Sequence, residues 1–122
     1  MEILFLMLLL QIKHCIADFN LQTYQQTIKK GVYGNPIGIS HTIDHMWTSM
    51  VALLIFNLWF PINIFTLLWV VALEGLIHYH VDWFKVHFGT KNMQTSEFWA
   101  QFGYDQMAHQ LTYIWMVWQI II

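Results

Sequence analysis

Acidic residues and histidines lie four residues apart at five places in otherwise apolar parts of the chain. Residues i and i+4 of an α-helix occupy one face, one turn apart. Random placement of seven acidic residues and seven histidines in 122 residues would give about two such pairs. The excess predicts apolar helices whose polar stripes face one another and present pairs of metal ligands. The pairs are His14/Asp18, His41/His45, Glu74/His78, His78/Asp82 and Asp105/His109.

The composition indicates a membrane protein. Hydrophobic residues make up 57% of the chain and charged residues 10%, whereas soluble domains contain about 25% charged residues. Four segments are apolar enough to be expected to span a bilayer, which takes about 20 residues per helix. They cover 3–17, 39–60, 62–86 and 98–122. We therefore expect one all-α domain over residues 1–122, an integral membrane four-helix bundle with a short amphipathic helix after the first span.

The distribution of charge predicts an orientation in the membrane. The chain has no arginine and a net charge of −2, which excludes the cationic face that nucleic-acid binding needs. If the chain crosses four times, all five lysines fall on one side, which the positive-inside rule makes cytoplasmic. We expect an inner-membrane protein with both termini outside. Assembly into a homo-oligomer is compatible with this arrangement. The lysines are Lys13, Lys29, Lys30, Lys85 and Lys91.

The polar residues are expected to share one depth. At a rise of 1.5 Å per residue, His14, His45, Glu74 and His109 each lie about 18–22 Å from the outer ends of their helices. That level is past the midplane on the cytoplasmic side of a core about 30 Å thick. We predict one shared metal site, and the alternative is a polar core or proton relay without metal. The predicted ligands are His14, Asp18, His41, His45, His78, Asp82, Asp105 and His109, whereas His80 and His87 are expected outside the site.

The ligand types suggest hydrolytic chemistry. Histidines with carboxylates suit zinc, manganese or iron, and their number favours two divalent ions over one. Such sites activate water and stabilise an oxyanion, as in phosphoester hydrolysis. We expect a hydrolase acting on a phosphate-bearing or lipid-linked substrate at the cytoplasmic leaflet. Glu74 is the predicted general base, and Lys85 is the predicted contact to a phosphate.

Two other classes of function stay open. One is a di-iron membrane oxidoreductase, which the His-x3-His pair His41/His45 allows, although the Glu-x2-His spacing of carboxylate di-iron bundles is absent. The other is non-enzymatic, either a metal-ion transporter or a phage effector that acts in the membrane. Metal identity and content distinguish these classes.

Four motifs in order carry a resemblance to a known family. They are His14, Asp18, Phe19, Leu21 and Gln22; His41 and His45; His78, Asp82 and Lys85; and Asp105 and His109. This pattern resembles domain of unknown function 3307, a family of small phage and bacterial membrane proteins, over nearly the whole chain. The resemblance implies an integral membrane protein but brings no activity. The paired ligands are also similar to those of membrane-bound metal-dependent hydrolases and, in spacing alone, of helical zinc phospholipases C.

Overall fold

The computed structural model describes residues 1–122, and every regular element in it is a helix. The predicted all-α fold is therefore confirmed. The first helix continues without a break into six residues of π-helix, and a short helix then precedes three long ones. The elements are α1 (Glu2–Cys15), the π-helical segment (Ile16–Leu21), α2 (Tyr24–Lys29), α3 (Pro36–Asn57), α4 (Ile64–Phe88) and α5 (Ser96–Ile121).

Side-chain caps fix where the later helices begin. Thr23 and Gln26 form a reciprocal capping box at the start of α2. Asn35, Asn63 and Thr95 each accept a hydrogen bond from a backbone N–H in the first turn of α3, α4 and α5, respectively. A cap satisfies N–H groups that have no partner inside the helix. These residues therefore set the register with which each helix presents its polar stripe.

Neighbouring long helices run antiparallel. Near the start of α1 the ring of Phe5 packs 6.0 Å from that of Phe56, near the end of α3. At the other end, Asp18 lies 3.2 Å from His41, close to the start of α3. Near the end of α4, Asp82 lies 3.3 Å from His41 at the start of α3, and Lys85 pairs with Asp105 in the first half of α5. The chain thus alternates in direction through α1, α3, α4 and α5.

The interior has an apolar half and a polar half. The apolar half lies toward the connection between α3 and α4. The polar half begins about one helical turn farther from that connection in each helix. The outer surface is unusually apolar, because every long helix exposes large hydrophobic side chains. Among those exposed are Leu4 and Leu8 on α1, Trp47 and Leu54 on α3, Phe65, Trp69 and Phe84 on α4, and Leu111, Ile114 and Trp118 on α5.

Only α4 (Ile64–Phe88) is both long and apolar enough to cross a membrane when length and composition alone are considered. The four-span arrangement expected from the sequence is therefore not supported by length and hydropathy, which give one candidate span. The regular part of α1 has 14 residues, fewer than the about 20 that a span needs. Polar residues of α3 and α5, including those that converge inside the bundle, lower the mean hydropathy of these two helices.

A glycine allows α3 to approach the end of α2. A Cβ atom added at Gly38 would lie 2.7 Å from the Cα of Lys30 and 2.8 Å from the carbonyl oxygen of Lys29. Both of these atoms belong to the backbone, so they cannot move aside as a flexible side chain would. The loop between the two helices is closed by Gly34, whose φ of 75° is rarely adopted by other residues. Gly38 therefore holds Lys30 where its side chain enters the bundle.

We expect Gly38→Ala to lower the free energy of unfolding by about 1–3 kcal/mol, the usual cost of overpacking a close contact. Thermal or chemical unfolding of the purified protein, followed by circular dichroism, measures this change. Gly103→Ala is the matched control, because a Cβ atom there meets nothing within 4 Å. Equal stability of the two variants would contradict the close approach.

Candidate metal centre

The polar stripes of α1, α3, α4 and α5 meet in one buried cluster. The imidazole ring of His78 stacks 3.7 Å from that of His45 and 4.2 Å from that of His109, which joins three helices. All eight predicted ligands and Glu74 are at most 8% exposed. The convergence expected from their common depth is therefore present. Whether these residues bind metal stays a prediction.

Asp18 lies at the centre of one part of the cluster. Its Oδ1 atom is 2.8 Å from Nε2 of His45 and 3.2 Å from Nε2 of His41. Its Oδ2 atom is 3.2 Å from Nε2 of His14. Asp18 belongs to the π-helical segment (Ile16–Leu21), and π-helical turns often occur at functional sites. One carboxylate therefore gathers imidazoles from α1 and α3.

Asp82 has the same role in the other part of the cluster. Its Oδ2 atom is 3.1 Å from Nε2 of His78 and 3.3 Å from Nε2 of His41. Its Oδ1 atom is 3.3 Å from Nε2 of His109. His41 thus lies between the two carboxylates and close to both. The two parts of the cluster are continuous.

Two sets of side chains are close enough to hold a metal ion. Within each set, the potential ligand atoms all lie within 4.8 Å of one another. One set is Asp18, His41, His45 and His78, and the other is His78, Asp82 and His109. We call them the four-residue group and the three-residue group. Because His78 belongs to both groups, binding of a metal ion in one group affects binding in the other.

Several buried nitrogens in these groups have no hydrogen-bond partner. They are both ring nitrogens of His41 and Nε2 of His78. These Nε2 atoms nevertheless lie 3.1–3.3 Å from carboxylate oxygens, without the geometry of a hydrogen bond. Buried polar atoms are nearly always paired. The ring nitrogens of His41 and His78 that lie near carboxylates without hydrogen-bonding them fit a cation placed between them.

His14, Glu74 and Asp105 lie beside these groups but belong to neither. Nδ1 of His14 is 2.8 Å from the hydroxyl of Tyr113, and its Nε2 is 2.8 Å from Oε1 of Gln106. Each ring nitrogen of His14 thus has a side-chain partner. His14 and Asp105 therefore lie beside the two groups, and their role as metal ligands stays a prediction.

Lysines inside the cluster were missed by the sequence analysis. Lys13 and Lys30, which were assigned to the cytoplasmic side, are only 3% and 6% exposed. Lys13 forms a salt bridge with Glu74, and its Nζ atom lies 3.3 Å from Nδ1 of His45. Helical spacing offered a signal, because Leu6, Leu10 and Lys13 follow one another on the buried face of α1.

The lysines balance the charge of three buried carboxylates. Lys13 pairs with Glu74, and Lys30 donates to Oδ2 of Asp82 over 3.0 Å. Lys85, the predicted phosphate contact, donates to Oδ2 of Asp105, also over 3.0 Å. These three pairs are Lys13–Glu74, Lys30–Asp82 and Lys85–Asp105. Asp18 forms no pair with a lysine, and its carboxylate is surrounded by imidazoles, two of them in the four-residue group.

The remaining histidines are outside the cluster, as expected. His80 is exposed, and its Nε2 lies 3.1 Å from the hydroxyl of Tyr33. Nδ1 of His87 lies 3.1 Å from the carbonyl oxygen of Gly31. His80 is two residues from His78 on α4, so it makes a matched control for variants of that residue.

One comparison with known proteins gives a match. The family model described as "Protein of unknown function (DUF3307)" matches residues 4–122, nearly the whole chain. No curated protein and no solved structure matches the chain. The resemblance carried by the four motifs is therefore confirmed, and the chemistry has to be inferred from the site.

We expect Lys13→Met to destabilise the protein by about 3–5 kcal/mol, because Glu74 would be left as a buried charge without a partner. The double variant Lys13→Met/Glu74→Gln removes both charges and should recover much of that loss. Unfolding followed by circular dichroism measures both changes. A double variant as unstable as Lys13→Met alone would show that the ion pair is not the cause.

Proposed function

We propose that this chain, which belongs to the DUF3307 family of proteins of unknown function, is a membrane-embedded, metal-dependent hydrolase. It acts on a phosphate-bearing or lipid-linked substrate. The observation that carries the proposal is the four-residue group, in which three imidazoles and one carboxylate converge within 4.8 Å. In this group, no lysine compensates the negative charge of Asp18. A divalent cation satisfies both the geometry and the charge.

The donor types favour zinc, manganese or iron. Imidazole suits zinc and iron, and carboxylates also bind manganese. The only thiol of the chain belongs to Cys15, which is exposed, so thiolate-dependent sites are not favoured. Zinc sites of mixed histidine and carboxylate ligands use three or four protein ligands. Each of the two groups is therefore large enough for one ion.

The number of ions depends on the charge of the cluster. Lys30 already compensates Asp82 in the three-residue group, so the first ion is expected in the four-residue group beside Asp18. A second ion would compete with the first for His78, which offers one ligand nitrogen, and would require Lys30 to release Asp82. Three protein ligands with an open position are typical of catalytic zinc, which supports the three-residue group as the second position. Two ions per chain, as the sequence suggested, would leave His78 as a ligand of one of them.

Burial of the bundle in a bilayer is supported by its surface. Soluble monomers rarely expose large contiguous apolar patches, whereas here all four long helices expose large hydrophobic side chains. Helices α3, α4 and α5 have 22, 25 and 26 residues, enough for a core about 30 Å thick. With α1 and its π-helical continuation they make four crossings of the inner membrane. Both termini then lie outside and the site faces the cytoplasm.

Two further residues have distinct roles in the proposed hydrolysis. A bound divalent ion supplies an activated water and stabilises developing negative charge on oxygen. Glu74 is the proposed general base, because its Oε2 atom is buried without a hydrogen-bond partner and can accept a proton. Lys85 is 23% exposed at its side chain and is proposed to meet a phosphate at the cytoplasmic mouth.

Removal of one shared ligand tests the metal site. Elemental analysis of the purified protein should find one or two divalent ions per chain. We expect His78→Ala and the more conservative His78→Gln to lose most of the metal, because His78 belongs to both groups. His80→Ala should keep it. No metal in the unaltered protein, or equal loss in the His80 and His78 variants, would contradict the proposal.

Substitution of the proposed base separates binding from catalysis. Glu74→Gln should retain metal, because Glu74 belongs to neither ligand group. Its turnover should fall by about 10²–10⁴-fold, the usual contribution of a general base. Release of phosphate from phosphatidic acid and polyprenyl phosphates, with metal content measured on the same samples, checks both expectations. Oxygen consumption by the iron-loaded protein without any hydrolysis would favour the di-iron oxidoreductase instead.

A further inference from the structure

A cavity of about 550 Å³ lies beside the cluster, between α2, the end of α4 and the start of α5. All charged residues that line it are lysines, namely Lys30, Lys85 and Lys91. The rest of its wall is largely apolar and includes Ile28, Val86, Met93, Phe98 and Phe102. A cavity with this lining suits a ligand that is anionic at one end and apolar at the other.

The cavity is joined to the candidate metal centre by two of its lysines. Lys30 lines the cavity and donates to Asp82, and Lys85 lines it and donates to Asp105. Asp82 belongs to the three-residue group, and Asp105 lies 3.5 Å from Nε2 of His109 in that group. An anion in the cavity would therefore be separated from the ligand groups by a single side chain.

Lys91 differs from the other two lysines. It is exposed in the loop between α4 and α5, and no carboxylate compensates its charge, whereas Lys30 and Lys85 each have an aspartate partner. Lys91 is therefore the lysine of this cavity without a carboxylate partner, whereas Lys30 and Lys85 each contact an aspartate of the cluster.

We propose that this cavity binds the phosphate group of an anionic lipid, with Lys91 as the first contact and the apolar wall against the lipid chain. Phosphate pairs with lysine as a point charge, and the apolar wall distinguishes a lipid from a soluble phosphate ester. The proposal names the substrate class of the hydrolase proposed above, and to that extent it rests on that function. Binding itself requires no turnover.

Calorimetric titration of the purified protein in a neutral detergent tests this proposal with three probes. Short-chain phosphatidic acid has both the phosphate and the chains, glycerol phosphate lacks the chains, and short-chain diacylglycerol lacks the phosphate. We expect phosphatidic acid to bind most tightly. Lys91→Gln should weaken its binding about fivefold, which is the scale of one exposed ion pair. Lys29→Gln removes the same charge from α2 outside the cavity and should have no effect.

The results separate the lipid site from the hydrolase. Unchanged binding of phosphatidic acid to Lys91→Gln, or equal binding of diacylglycerol, would overturn the proposal of a phosphate site. Equal binding of glycerol phosphate would overturn its lipid part. Metal content is measured on the same samples. An unaltered protein without metal that still binds phosphatidic acid through Lys91 would support the cavity and contradict the metal-dependent function.

Discussion

Burial of four carboxylates inside an apolar bundle is the constraint on which the rest of the structure depends. A charge taken out of water is costly unless it is paired and hydrogen-bonded. Lysines from α1, from the end of α2 and from α4 compensate three of the carboxylates, and imidazoles surround the fourth, Asp18. Each pair joins different helices. The electrostatics of the cluster therefore fix the register of the bundle as well as its chemistry.

Local backbone features serve this requirement. The π-helical segment (Ile16–Leu21) carries Asp18 into the cluster, and Gly38 allows the end of α2 to bring in Lys30. The other half of the interior is an ordinary apolar core that includes Leu10 and Phe56. Exposed hydrophobic side chains cover the outside. A polar interior within an apolar surface is the arrangement that a bilayer favours, since ionisable residues in spanning helices face the interior of the bundle.

Much of the site was predictable because helical spacing is a strong signal. The four-residue spacing identified the helices, and the common depth identified His14, His45 and His109 as neighbours. Spacing did not reveal that the ring nitrogens of His14 lie within hydrogen-bond distance of Tyr113 and Gln106. The placement of all lysines on one side likewise did not reveal that Lys13 and Lys30 are buried. Which histidines have other partners, and which lysines are buried, depends on contacts between helices that are distant in sequence. These contacts follow from three-dimensional packing.

X-ray absorption at the metal edge of the purified protein tests the central claim most directly. If Asp18 and the histidines around it bind a divalent ion, the spectrum should show nitrogen and oxygen ligands at about 2.0–2.2 Å. It should also show the scattering pattern of several imidazole rings. A protein with no bound metal, or a metal without imidazole ligands, would contradict the account. So would sulfur at about 2.3 Å, which would indicate binding at the exposed Cys15.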